Sequence, residues 1–278
     1  MMKETSGKSK LQNGSMMVVL VLLLSMVSCT RGMAGSLVIL DPVLPVLAPE
    51  VAATIGRYGR STITLPFDAS GTLYSAIAAE KPAVLFLSPL LAPELDRILD
   101  SSPAIRLVYA GGTASAPREG LYSAVFSSAD AAGMAGTILA GKDPTLPPDA
   151  LCVAIFMNGS EEAIQRFTDS YLAAKPGNKP IIENIVTPWP TATVNRLKSL
   201  DIRQAYIAVP GKDAARWARE VLPGNSFVLM ESAFGGLTDP AVDAMLVWDL
   251  DSSLKLLVNR LYASTSASIS GIWRLLER

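Results

Sequence analysis

From residue 36 onward one pattern recurs: a short unbroken run of apolar and β-branched residues, then a stretch with apolar residues at helical spacing. The runs fall at 36–41, 62–66, 83–88, 105–110 and 121–126, and again at 151–157, 181–186, 205–209, 226–231 and 244–248. Most do not alternate apolar with polar, as expected of strands covered on both faces. Between them, 70–81, 92–101, 129–142, 160–175, 193–200, 212–221 and 252–263 carry the periodicity of amphipathic helices. Strand and helix in alternation predict an α/β architecture built on parallel sheets. Ten strands in this length divide more naturally into two five-stranded lobes than into one wide sheet. The lobes are expected at 36–128 and 129–250, with 251–278 a helix returning toward the first. Ser160 and Asp251 are the expected helix caps near the starts of two of these segments.

The first 28 residues follow a different logic. Lys3, Lys8 and Lys10 precede an apolar run at 16–27 broken only by Ser25. Twelve or so residues fall short of the roughly 20 that a bilayer-spanning helix needs. A basic flank before a short apolar core is the layout of a secretory signal. It ends Met26-Val27-Ser28-Cys29, which resembles a bacterial lipobox and implies acylation of Cys29. Two acyl chains hold a protein stably at a membrane where one does not. Residues 29–35 would then be a tether, keeping the folded part near the surface of the cell envelope, facing periplasm or exterior.

Composition removes several functions. The chain has no histidine, so Ser-His and Cys-His catalytic pairs and His-based metal sites are excluded. Its formal net charge of -1 gives no general electrostatic pull toward nucleic acid. Loss of residues 1–28 removes three Lys and one Glu and makes the remainder more acidic. Cys152 would be the lone remaining thiol besides Cys29, in an apolar run that implies burial. No cofactor and no metal are expected. Gly136-Thr137-Ile138-Leu139-Ala140-Gly141-Lys142 has the spacing of a phosphate-binding loop but ends in Asp143 where Ser or Thr is needed, and reads as helix.

The signal, Cys29 and the two α/β lobes together resemble a type I periplasmic solute-binding protein with two Rossmann-like lobes. The segment Phe126-Ser127-Ser128-Ala129-Asp130-Ala131-Ala132-Gly133-Met134-Ala135-Gly136 is similar to that of the basic-membrane-protein lipoproteins, which include purine-nucleoside receptors. Its glycines and alanines are expected to allow close approach of a helix to a sheet at the lobe junction. Where that family has a glycine- and asparagine-rich pocket segment, this chain reads Asp41-Pro42-Val43-Leu44-Pro45. Where it has Gly-x-Asp and Ser-x-x-Lys elements, the chain reads Leu229-Met230-Glu231-Ser232 and Trp248-Asp249-Leu250-Asp251. The resemblance implies capture of a small polar solute, nucleoside-like or otherwise, for an ABC-type transporter permease.

In open α/β sheets ligands settle beyond the carboxyl ends of the strands. That rule nominates Asp41, Phe67, Ser88, Phe126, Asn158, Trp189, Glu231 and Asp249 as ligand-binding candidates, with Asp68, Gly111 and Pro210 at equivalent positions. Trp189, held between Pro188 and Pro190, offers an indole for stacking. Two other classes remain open: an envelope lipoprotein using the same fold to dock a protein, and a hydrolase using carboxylates such as Asp41 or Glu231.

Overall fold

The computed structural model describes residues 33–67, 71–112, 116–142, 150–157, 159–185, 191–208, 218, 220–234, 240 and 242–278. Each lobe is built on a six-stranded sheet, against the five strands expected. In lobe 1, β1 (Met33–Leu40), β2 (Gly59–Thr64), β3 (Val84–Leu87), β4 (Arg106–Gly111) and β5 (Leu121–Val125) are all parallel. In lobe 2, β6 (Leu151–Met157), β7 (Ile181–Ile185), β8 (Ile202–Ala208), β9 (Phe227–Ser232) and β10 (Ala244–Trp248) repeat that arrangement. The sixth strands come from the C-terminal segment. β11 (Ala267–Ser270) joins the first sheet beside β5, and β12 (Trp273–Glu277) runs antiparallel on β10. The strand orders are therefore 11-5-4-3-1-2 and 12-10-9-8-6-7. Residues 267–277 escaped the apolar-run criterion because polar residues interrupt them, Ser268 and Ser270 in β11 and Arg274 and Glu277 in β12.

Both faces of each sheet are covered, which is why the strands read as continuous apolar runs. Along β1, Val38 and Leu40 enter one core while Leu37 and Ile39 enter the other. Along β6, Val153 and Ile155 face one side, and Cys152, Ala154 and Phe156 the other. Burial pushes the Cys152 thiol up to about 12, so the buried cysteine is inert. The helices of lobe 1 are α1 (Leu44–Leu47), α2 (Pro49–Gly56), α3 (Thr72–Glu80) and α4 (Leu95–Ser101), the last preceded by a 3-10 turn at Pro89–Glu94. Lobe 2 has α5 (Ser128–Lys142), α6 (Glu161–Ala174) and α7 (Thr191–Lys198). The last helix, α8 (Leu250–Leu261), follows lobe 2 in sequence but packs on lobe 1 through Leu250, Leu254, Leu257 and Leu261.

Two local expectations change. Ser160 caps α6, its hydroxyl accepting from Ala163 N at 3.1 Å. The cap of α8, however, is Asp249, whose carboxylate accepts from Ser252 N at 3.1 Å, and Asp251 lies in the first turn. The small-residue stripe of α5 also serves a second helix as well as the sheet. Ala132 and Ala135 sit in the sheet-facing core. A Cβ on Gly136 would meet Phe167 O of α6 at 2.5 Å and Tyr171 N at 3.0 Å. The close approach that glycine permits there is helix to helix, backbone against backbone.

Candidate functional site

The chain passes between the lobes three times: at 126–128 after β5, at 248–250 after β10, and at 270–273 between β11 and β12. These crossings are tied to one another. Gly271 N donates to Val125 O at 2.7 Å, Asp249 N to Ile272 O at 2.8 Å, and Ile272 N to Ser253 Oγ at 3.0 Å. Each crossing also contributes one aromatic ring. Phe126 stacks on Trp248 with centroids 4.6 Å apart and planes 11° from parallel. Trp273 meets both rings edge-on, at 5.9 Å and 6.5 Å. Such pairs add about 0.5–1.5 kcal/mol each beyond the area they bury. The junction leaves no room for a side chain at Gly271, where a Cβ would come within 2.5 Å of the Phe126 ring. The junction therefore has two lobes hung on a stiff aromatic hinge.

A pocket of about 460 Å³ opens beside this hinge, and both lobes line it. Lobe 1 supplies Leu47 to Val51, Thr54 and Arg57, from α1, α2 and the residue that follows. The end of β9 supplies Ala233 and Phe234, and the end of β10 supplies Val247 and Trp248. Asp249, Leu250 and Asp251 come from the second crossing and the start of α8, and Arg274 from β12. Trp248 thus lines the pocket and takes part in the hinge stack; Phe234 meets it edge-on at 5.2 Å.

Charge around the pocket is largely engaged. Asp251 accepts from Lys255 Nζ at 2.6 Å and from the Tyr58 hydroxyl at 3.0 Å, and Arg57 lies 3.8 Å away. The Lys255 hydrogen bond is the main reason its carboxyl is held below the usual range, with Tyr58 and Arg57 adding to it against partial burial. Burial, then that carboxylate, raises the Tyr58 phenol well above its ordinary value. Thr54 Oγ1 donates to Glu50 O at 2.8 Å and accepts from Arg57 at 3.2 Å. The Arg274 side chain makes no hydrogen bond or ion pair among the described residues, and the residue is exposed. No group of three or more His, Cys, Asp or Glu among the described residues is arranged to hold a metal ion.

The eight nominated residues have different fates. Asp249 lines the pocket. Asp41 is buried, accepts from Val43 N and Leu44 N at 2.8 Å each, and accepts from the Ser88 hydroxyl. Ser88 is itself fully buried, so this pair builds the loop that enters α1 and does not line the pocket. Phe67 stands 79% exposed beyond β2, and Phe126 is buried in the hinge stack. Glu231 sits near the first crossing, accepting from the Tyr206 hydroxyl at 2.7 Å and from Ser128 at 3.2 Å. Burial raises its carboxyl, against the lowering influence of those two hydroxyls. Gly111 is buried at the end of β4. Asn158 and Trp189 lie outside the described residues, as do Cys29, Asp68 and Pro210.

Much of the lining was not foreseen. α2 escaped notice because prolines at 42, 45 and 49 read as a loop. The signal was present: Pro49 at the first helical position, Glu50 in the first turn, then buried Ala52 and Ile55. Arg274 was missed together with its strand.

The sequence matches no protein-family model, and no curated protein matches it in sequence. Solved structures do share its fold. A periplasmic ribose ABC transporter protein from Conexibacter woesei is 13% identical over 89% of this chain and 93% of its own, with a TM-score of 0.57. The Caulobacter myo-inositol binding protein, bound to myo-inositol, is 13% identical over 88% and 94%, with a TM-score of 0.51. A transcriptional activator of the comK gene from Bacillus halodurans is 15% identical over 87% and 89%, with a TM-score of 0.58. Identities this low speak to fold, and the fold is shared by solute binders and a gene regulator. The chain has the two-lobed α/β architecture of type I periplasmic binding proteins.

Proposed function

We propose that this chain is a lipid-anchored solute-binding protein of the bacterial cell envelope, with no catalytic chemistry of its own. It captures a small solute between its lobes and delivers it to an ABC-type transporter. The observation that carries this reading is the pocket beside the hinge, lined from both lobes at the carboxyl ends of β9 and β10. A ligand touching both lobes binds the closed arrangement better than the open one, and so drives closure. Its volume lies within the roughly 300–1,000 Å³ usual for small-molecule sites. The fold neighbours whose names give sugars or inositol as cargo support a solute-binding role. The basic flank, apolar run and Cys29 support export and acylation.

A thermal-shift screen of the full chain against sugars, polyols, nucleosides, amino acids and organic acids tests the binding role. At least one compound is expected to raise the melting temperature in a concentration-dependent way; none across the whole library would sink the reading. Labelling cells with tagged palmitate tests the anchor, with signal expected for the wild type and lost in Cys29→Ala.

A docking module is the second reading, favoured by one feature. Val46, Leu47, Phe67 and Leu90, all at least 45% exposed, stand beyond the ends of β1, β2 and β3. Alanine substitutions at Val46, Phe67 and Leu90, which lie outside the pocket lining, that abolish capture of an envelope protein with ligand affinity unchanged would favour it.

A further inference from the structure

We infer that the pocket takes a flat or branched apolar solute carrying a single carboxylate, seated against Trp248 and Phe234 with its carboxylate on Arg274. This rests on the pocket being a solute site, and names the class of solute.

The pocket is poor in neutral hydrogen-bonding side chains. Among its described lining residues there is no Asn, Gln, Ser or Tyr, and the one neutral hydroxyl, Thr54, already both donates and accepts. A polyol needs many donors and acceptors, because each hydroxyl moved from water without a partner costs about 1–3 kcal/mol on the mutational scale. Asp41 and Ser88, at the carboxyl ends of β1 and β3, bond to each other and to the turn into α1. In the lobe 1 wall Leu47, Ala48, Pro49 and Val51 form the apolar part, and Glu50, Thr54 and Arg57 supply its polar groups.

Several of the pocket's charged side chains are already engaged. Asp249 spends one oxygen on the α8 cap, and Asp251 is held by Lys255 and Tyr58. Arg57 bonds Thr54 and lies near Asp251. Among the lining side chains this leaves Arg274 as the guanidinium without a partner among the described residues. A guanidinium pairs carboxylates through two parallel hydrogen bonds, which a neutral amide or hydroxyl cannot reproduce. Glu50, exposed on α2 and without an ion pair among the described residues, disfavours a second anionic group on the same ligand. One carboxylate on an apolar body meets these conditions together.

Isothermal titration calorimetry of the full chain in detergent tests this, with detergent-only blanks. The probes are indole-3-acetate and 3-phenylpropionate, their primary amides, phenylsuccinate, ribose, myo-inositol and adenosine. The acids are expected to bind at least ten-fold more tightly than their amides and than phenylsuccinate, with no measurable binding of ribose or myo-inositol. Arg274→Gln, a change at an exposed position on an edge strand, is expected to erase the preference for acid over amide. Its unchanged far-UV circular dichroism would confirm folding. Equal affinity for acid and amide, or an unchanged preference in Arg274→Gln, overturns the assignment. Binding of ribose, myo-inositol or adenosine without the acids overturns the ligand class and leaves the solute-binding reading standing. No binding by any probe, together with a blank thermal-shift library, overturns both.

Discussion

Asp41 shows how a residue can be correctly placed by sequence and still carry another task. It stands at the carboxyl end of β1, where binding residues gather, but its oxygens close the turn into α1 and hold Ser88. Asp41→Ala leaves two backbone N–H groups and a buried hydroxyl without partners. It is expected to cost roughly 2–4 kcal/mol in urea unfolding, while pocket affinity, measured where the variant stays folded, remains unchanged. Glu231 makes a different prediction, in pH. Burial raises its folded pKa above the ordinary 4.5, so its stabilising contribution is complete below that value and is lost as pH rises through the folded pKa. Glu231→Gln, which stays neutral, should match the wild type in acid and show the higher urea midpoint above that window. A midpoint difference that does not change with pH would contradict the assignment. Neither role was legible in the sequence, because both depend on partners far along the chain: Ser88 for Asp41, Ser128 for Glu231.

At the level of elements, strands were legible where the apolar run was unbroken. β1, β3 and β6 are buried on both faces and read plainly, and the edge strands β2 and β7 read as well; β11 and β12, interrupted by Ser268, Ser270, Arg274 and Glu277, did not. α2, which forms a wall of the pocket, was hidden by proline, although Pro49 sits where a helix accepts it without losing a hydrogen bond. The glycines of α5 offer a controlled pair. Gly136→Ala forces a methyl against the backbone of α6 and is expected to destabilise by about 1–3 kcal/mol. Gly133→Ala comes no closer than 3.4 Å, to Ser170 Oγ, with Arg166 at ordinary contact distance, and the gain in helix propensity, about 0.5–1 kcal/mol, is expected to leave it neutral or slightly stabilising. Thermal melts of the two variants side by side distinguish them; similar melting temperatures would mean that the helices do not meet as described.

Across the whole molecule, two lobes with parallel sheets were legible from the order of runs alone, since each run had to be covered on both sides. What could not be read is how thoroughly the lobes share the chain. Lobe 1 is completed by α8 and β11, which come after β6 to β10 of lobe 2, and lobe 2 is then completed by β12. Ending the chain at Asp249 removes four buried leucines from the core of lobe 1. Each buried leucine is worth about 2–5 kcal/mol, and a domain's net stability is about 5–15. Limited trypsin digestion is expected to degrade residues 33–125 of this truncated chain rapidly, although their own sequence is intact. Survival of a folded lobe 1 fragment would refute the dependence.

The described residues begin at the amino end of β1 in lobe 1 and finish beside the amino end of β10 in lobe 2. β1 begins at Met33 on the side of the first sheet away from the pocket, and Glu277 pairs with Ala244 at the corresponding end of the second. Each lobe therefore carries one of these two points at the end of its sheet away from the pocket. A restraint applied ahead of Met33, as the proposed anchor would be, pins lobe 1 and leaves all of the swing to lobe 2. A membrane partner that distinguishes loaded from empty would then find the larger displacement on the lobe that is not tied down.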